Sequence, residues 1–439
     1  MTTHAPEAEP ACPGSTDARQ PENPDDAAGS GASGAPAGSG APAGSGAPAG
    51  SGASGAPALR IERRAFDDIP RATWDRLAAL NPWATPFSSW AFQRAWWDAY
   101  GASAHDQTLI VTALAGTPGG PEAGDPVAIV PLMHRHEVEP SDAETASKIR
   151  HGDASSLTPV PPTAKAVFFG ASYHADYATL LAAPEDLPAV ATALVDHLGA
   201  PDPSDPGHPI PWDAIDLRRL RCGDPTADAL ADAFGRREIA GGWTLNLERE
   251  DVCPVVRLPE GIAFEDFLST LEKKSRHEIR RKFRRAEGVG EVALREVPAD
   301  PANLEAFIDL HQAKWGPDGL FPPTSGGDAS RMFIRRWFEE CGPDGPVRLM
   351  FLTVGARRIA AGILVVDGDR LMFYNAGSDP EARELSPGVL LAGESVRFAS
   401  EHGMRAFDFL RGNEPYKYEW GSVDEPIQRL LVRRDGARA

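Results

Sequence analysis

One order of elements occurs twice along this chain, and it limits the folds open to it. Ser89 to Gly101 reads SWAFQRAWWDAYG and Ser330 to Gly342 reads SRMFIRRWFEECG. In each, an aromatic (Phe92, Phe333) is followed four residues on by a tryptophan (Trp96, Trp337) and at once by a second aromatic (Trp97, Phe338), and the run ends at a glycine. That spacing predicts one helical stripe closed by a C-terminal glycine. Two apolar runs joined by a turn follow each helix: Thr108 to Leu114 with Val127 to Met133, and Val347 to Val354 with Ile359 to Val366. These read as hairpins. A later helix (Leu187 to Leu198, Pro387 to His402) then leads to a short strand carrying an aspartate, Asp216 or Asp408. Four elements repeated in order predict an α/β architecture of two tandem units.

The chain of 439 residues is 42% apolar, enough for two or three domains with real cores. Residues 1–57 hold three copies of Ala-Pro-Ala-Gly-Ser-Gly and nothing large and apolar before Leu59, so a disordered tail is expected there. The units are expected at 58–250 and 251–439. Ala240-Gly241-Gly242 and Cys253-Pro254 read as irregular, and Val255 to Leu258 as the strand that opens the second unit. Glu137 to Thr163, rich in Pro, Ser and Asp, reads as a long surface loop. The longest apolar run, Ile359 to Val366, is far short of the roughly 20 residues of a membrane span, and no charged start leads into an apolar stretch. A cytoplasmic protein is expected. The cysteines lack C-x-x-C spacing, and His134 with His136 would share a strand face without a third ligand, so no metal is expected. The formal charge of -19 argues against wholesale binding of nucleic acid or an anionic membrane. It leaves room for a local basic groove. Phe267 to Glu287 supplies one: Leu268, Leu271, Ser275, Ile279 and Phe283 share a helical face, while Lys273, Lys274, Arg276, Arg280, Arg281, Arg284 and Arg285 cover most of the rest. Such a face is either an anion-binding wall or a solvated surface.

The densest chemistry runs from Arg405 to Trp420. It starts as a strand with Phe407 and Phe409 on one face and Asp408 on the other, then breaks at Gly412 and Pro415. A buried acid needs a partner, and Arg411 is the expected one. Asp408, Arg411 and Gly412 are thus read as organisers of the loop. Glu414, Tyr416 and Lys417 follow at the end of a strand, where α/β proteins place ligands. Upstream, Ser386 suits an N-cap, Pro387 the first helical position, and Gly388 a close backbone approach. The start of that helix is a ready seat for a pyrophosphate.

The runs FDFLRGNEPYKYEWG and YNAGSDPEARELSPGVLL resemble acetyltransferases of the GNAT superfamily, of the type labelled CelD-like or cellulose-biosynthesis acetyltransferases. They are similar, more distantly, to the Fem-type transferases, which carry two GNAT units in tandem. The resemblance runs from about Phe66 to the C-terminus. It implies an acyl-CoA donor, acetyl-CoA above all, wedged between two parallel strands, with Asn375, Ser386, Pro387, Gly388 and Val389 as the cofactor-binding set. The usual GNAT phosphate loop, a basic or Gln residue followed by two spaced glycines, is absent.

Transfer from a thioester needs a base for the acceptor, a donor for the oxyanion and an acid for the thiolate. Glu414 is the candidate base, Tyr416 the acid and Lys417 the oxyanion donor. Lys314, Trp315, Trp420, Arg280 and Arg284 are the candidate substrate residues. The expected acceptor is an amine or hydroxyl of a glycan, a polysaccharide precursor or a small molecule. Two alternatives stay open: a Fem-type transferase using aminoacyl-tRNA, and a non-catalytic scaffold in envelope polysaccharide assembly. His174 to Tyr177 (HADY) corresponds to an Asp-Tyr element of this group of proteins, with no role derivable from sequence.

Overall fold

A computed structural model describes residues 58–114, 122–135, 157–161, 163–200 and 212–434. The expected tail, His136 and most of the Glu137 to Thr163 stretch lie outside the described residues.

The first unit comprises β1 (Leu59–Arg63), α1 (Arg71–Leu80), α2 (Trp90–Tyr100), β2 (His105–Asp106), β3 (Leu109–Ala113), β4 (Pro126–Val130), β5 (Leu132–Arg135), β6 (Ala166–Phe169), β7 (Leu181–Ala182), α3 (Leu187–Gly199), β8 (Ala214–Arg221) and α4 (Pro225–Ile239). Strand β9 (Trp243–Arg257) leads into the second: α5 (Phe264–Thr270), α6 (Lys273–Glu287), β10 (Val292–Val297), α7 (Pro301–Trp315), α8 (Ser325–Cys341), β11 (Val347–Val354), β12 (Arg357–Asp367), β13 (Arg370–Ser378), α9 (Pro387–Glu401), β14 (Ala406–Asp408), α10 (Pro415–Tyr418) and β15 (Val423–Arg434). Both predicted hairpins form, as β3 with β4 and β11 with β12.

Eleven strands make one sheet in the order β10-β11-β12-β13-β14-β9-β15-β8-β6-β5-β2, and β1-β3-β4-β7 make a second. Two neighbouring pairs in the large sheet run parallel, β13 with β14 and β6 with β8. Each pairs over three residues and places its aspartate third, Asp408 opposite Met372 and Asp216 opposite Phe168. Matching register adds to matching order. The chain is built from the same α/β unit twice.

The units are not joined by a linker. β9 leaves the first unit and pairs with β15 along Val423 to Arg434, while its last three residues pair with β14. β15 in turn pairs with β8 of the first unit. Each half of the sheet is therefore completed by a strand of the other. Cys253-Pro254, expected to be irregular, lies inside β9, with Cys253 and Val255 fully buried. Proline normally argues against a central strand because it cannot donate. Here the Pro254 carbonyl still accepts from Phe409 N at 3.0 Å.

Alternation along the strands of the second unit feeds two cores, one on each face of the sheet. Leu349, Phe351 and Ile363 face α7 and α8, where Phe92 of α2 meets Phe333 and Trp337 edge-on at 5.3 and 5.0 Å. Met350, Leu352 and Leu364 face α5, α6 and α9. Phe267 to Glu287, expected as one helix, is broken between α5 and α6. Leu271 is extended there (φ -71, ψ 159), with its side chain buried in that second core. No described helix is long and apolar enough to cross a membrane.

A chain beginning at residue 251 lacks Trp243 to Arg249, which pair with Gln428 to Arg434 of β15. Such a fragment is expected to lack a cooperative unfolding transition in urea, and native-like unfolding of it would contradict the strand exchange.

Candidate active site

The site follows from a mismatch of strand lengths. β13 runs on to Ser378 but β14 ends at Asp408, so pairing stops at Met372 and Asp408 and the two strands part. A bulge sits just beyond: Ile363 pairs with Asn375 and Leu364 with Phe373, leaving Tyr374 as the extra residue. After β14 the chain turns through left-handed Leu410 (φ 55) and Gly412 (φ 106). At Gly412 a β-carbon would be strained and would also lie 2.6 Å from Glu414 Oε2. A cavity of about 240 Å³ fills the fork. Phe373 to Ala376 form one wall, Phe409 to Gly412 the other, and His311, Lys314 and Trp315 of α7 close one side. Tyr173, His174 and Asp176 reach in from the first unit.

The expected Asp408 and Arg411 pair does not form. Residues three apart on extended chain lie on opposite faces, and left-handed Leu410 intervenes. Asp408, fully buried, instead accepts from Tyr177 OH at 2.7 Å, Arg370 Nη1 at 2.8 Å and Leu410 N at 2.7 Å. Arg370 stands two register steps back on β13, on the same face as Asp408. Burial pushes the Asp408 carboxyl above its ordinary value, against the pull of Arg370 and Tyr177. Arg411 Nε donates to Asp176 Oδ1 at 2.7 Å, and its Nη1 is buried without a hydrogen-bond partner. The HADY element thus supplies a partner to each residue, Tyr177 to Asp408 and Asp176 to Arg411. Its sequence marked it, but nothing local could say that it spans two units.

Lys417 is 2% exposed, and its ammonium donates to the carbonyls of Leu410, Arg411 and Gly412 at 3.1, 2.7 and 2.9 Å, with Glu414 Oε2 also 2.9 Å away. Three protons meet four acceptors, so none is free for an oxyanion. Its reading as the oxyanion donor gives way to that of a clamp on the loop. Glu414 and Tyr416 both line the cavity, with Tyr416 edge-on to Phe409 at 5.8 Å and 39% exposed. Burial, then the Glu414 charge, raises the Tyr416 phenol above its usual range, so it stays protonated.

Among the candidate substrate residues, Lys314 and Trp315 line the cavity, with the Lys314 ammonium 4.4 Å from the Trp315 ring centre. Burial lowers the Lys314 amine, and Glu414 opposes that shift. Trp420 does not line it. At 1% exposure it is a core residue that meets α9 at Gly393. Arg280 and Arg284 line a separate groove on the α5, α6 and α9 face.

Ser386 is not the expected side-chain cap. Its backbone is left-handed (φ 58, ψ 55), and its hydroxyl accepts from Arg285 Nη2 at 2.8 Å. Pro387 holds the first helical position, and Gly388 is exposed with no heavy atom within 4 Å of where a β-carbon would stand. An open helix start beside a guanidinium suits a phosphate. Asn375 lies on the cavity wall, while Val389 sits on the first turn of α9.

Two buried histidines also line the cavity: His174, which the HADY element carried without a role, and His311, which nothing in its local sequence marks. His174 stacks on Phe333 with ring centres 4.1 Å apart, and bonds Tyr100 OH through Nε2 at 2.8 Å and Tyr374 OH through Nδ1 at 3.2 Å. Burial, then Arg411, lowers it to about 3. His311 accepts from Leu320 N at 3.1 Å, and burial, then Lys314, lowers it to about 4.

Residues 273–418 match the family model described as Acetyltransferase (GNAT) domain. That span runs from α6 through the forked strands to α10. Over that span the chain is similar to a GNAT domain. No curated protein matches the chain. Among solved structures, the crystal structure of FemX is similar at 11% identity over 82% of this chain and 96% of that one, with a TM-score of 0.49. A tandem GNAT protein from the clavulanic acid biosynthesis pathway is similar at 12% identity over 87% and 99%, with a TM-score of 0.40. L-PGS from Bacillus licheniformis is similar at 11% over 62% and 78%, with a TM-score of 0.40.

Both histidines are neutral when folded but take up a proton below about pH 6.5 when unfolded. The stability they contribute is present above that pH and is lost as the pH falls toward 4. Urea unfolding of His174→Asn between pH 6.5 and 4.5 is expected to show a slope shallower than that of the parent by about one proton, or ~1.4 kcal/mol per pH unit. Equal slopes would contradict the buried neutral ring. Tyr177→Phe is expected to cost about 1–3 kcal/mol in the same measurement at pH 7, by leaving Asp408 one donor short.

Proposed function

We propose that this protein transfers an acyl group, most simply acetyl, from acyl-CoA to an amine or hydroxyl acceptor in the forked cavity. The single observation that carries the reading is the parting of β13 and β14 at Asp408, which opens a slot at the strand ends inside the span that matches a GNAT domain. In this reading the thioester lies along Phe373 to Ala376 and the diphosphate rests at Gly388 beside Arg285. Only Asn375 of the cofactor set would meet the acyl end.

Chemistry then falls to few groups. The acceptor, its proton taken by Glu414, attacks the thioester carbonyl. The tetrahedral adduct collapses with cleavage of the C-S bond, and the thiolate takes its proton from Tyr416. Lys417 holds Glu414 and the loop in place, and Lys314 with Trp315 orients the acceptor. The aromatic walls suit an acceptor with an apolar or sugar face. A glycan or polysaccharide precursor of the CelD-like setting, in the cytoplasm, is the acceptor class favoured here.

Tyr416→Phe is expected to lower kcat for acetyl-CoA turnover by roughly 100-fold with an unchanged melting temperature, as for loss of a general acid. Full activity would remove Tyr416 from the reaction. Calorimetry with acetyl-CoA tests the reading as a whole: no heat at millimolar donor would sink it in favour of a scaffold.

A further inference from the structure

The α5, α6 and α9 layer carries a feature that the forked cavity leaves unused. A groove of about 600 Å³ lies on this layer, lined by Lys273, Arg276, Arg280, Arg284 and Arg397 against the acids Glu265 and Glu287. It shares no lining residue with the cavity. A local excess of cations on a chain of formal charge -19 runs against the molecule's own field.

Neutralisation within the groove is incomplete. Arg280 pairs with Glu265 at 2.9 Å and Arg397 with Glu394 at 3.3 Å. Arg276 and Arg284 reach only main-chain carbonyls, those of Ser269 at 2.8 Å and Arg280 at 3.3 Å. Lys273 opens α6 exposed, at the end of a helix where a cation is disfavoured by the helix dipole. Like charges one turn apart along Lys273, Arg276, Arg280 and Arg284 repel, and folding alone gives no reason to gather them. The floor is apolar: Phe264, Leu268 and Phe283 are buried beneath, and the Arg397 guanidinium lies 4.4 Å from the Phe264 ring centre. None of the large exposed apolar side chains lines the groove, so nothing there would insert into a bilayer core.

We infer that this groove is a second binding site, separate from the transfer cavity, for a phosphate or diphosphate group borne on an apolar or planar body. Guanidinium forks on two sides would take the phosphate oxygens, and the phenylalanine floor would take the body. The phosphate belongs either to a soluble ester or to a lipid headgroup reached at a membrane surface.

Calorimetry of the full chain with inorganic pyrophosphate tests this. Binding is expected in the parent, and to weaken at least tenfold in Lys273→Gln/Arg276→Gln/Arg284→Gln with the melting temperature unchanged. Should that variant fail to fold, Lys273→Gln/Arg284→Gln keeps the Arg276 bond to Ser269 and serves in its place. Co-sedimentation with phosphatidylglycerol vesicles separates the sources: capture that the variant abolishes assigns the phosphate to a lipid headgroup, and pyrophosphate binding without capture assigns it to a soluble ester. Binding in neither assay overturns the inference. So does pyrophosphate binding that the substitutions leave intact, which would place the anion elsewhere, for instance at Gly388.

Discussion

A carboxylate with no exposed surface sits where the two units meet, and the site depends on how it is satisfied. Asp408 would cost several kcal/mol to bury unpaired. Its partners come from three places: Arg370 on the neighbouring strand, Leu410 in its own turn, and Tyr177 in the other unit. The turn that this bonding fixes ends β14 early while β13 continues. The fork, and the cavity inside it, are the geometric result.

The same logic explains why the loop after β14 can carry so much charge without fraying. Lys417 gathers three carbonyls that would otherwise face inward unsatisfied, and Asp176 holds the Arg411 guanidinium from across the unit boundary. Removing either cation would expose polar groups to a low-dielectric pocket, where they are most costly. With the loop so held, Glu414 and Tyr416 line the cavity.

Duplication does not make the units equal. In the first, Asp216 is held by Arg218 and Arg429, and Arg219 forms a fully buried pair with Glu250 while its carbonyl accepts from Ala178 N at 3.0 Å. The segment after β6 is thus drawn across the strand end at which the second unit forks. One copy of the fold has become a wall, and it lends Tyr173, His174 and Asp176 to the other.

Much of this was legible in the residues. Helical stripes, hairpins and the Asp-bearing strands have local periodicity, and they gave the tandem order; Glu414, Tyr416, Lys314 and Trp315 announced themselves by clustering at a strand end or beside a glycine break. Pairing was not legible. Asp408 and Arg411 looked like partners because they are three residues apart, yet each bonds to a residue more than two hundred positions away. Strand exchange through β9 and the burial of Trp420 were equally hidden, since Pro254 reads as a break and an aromatic beside a loop reads as a platform. Sequence alone settled the periodicities and the chemistry available at each position, because these are properties of neighbours along the chain. Which groups meet was decided by the folded sheet, because burial forces each charge to find a counterpart wherever the topology brings one within hydrogen-bond reach.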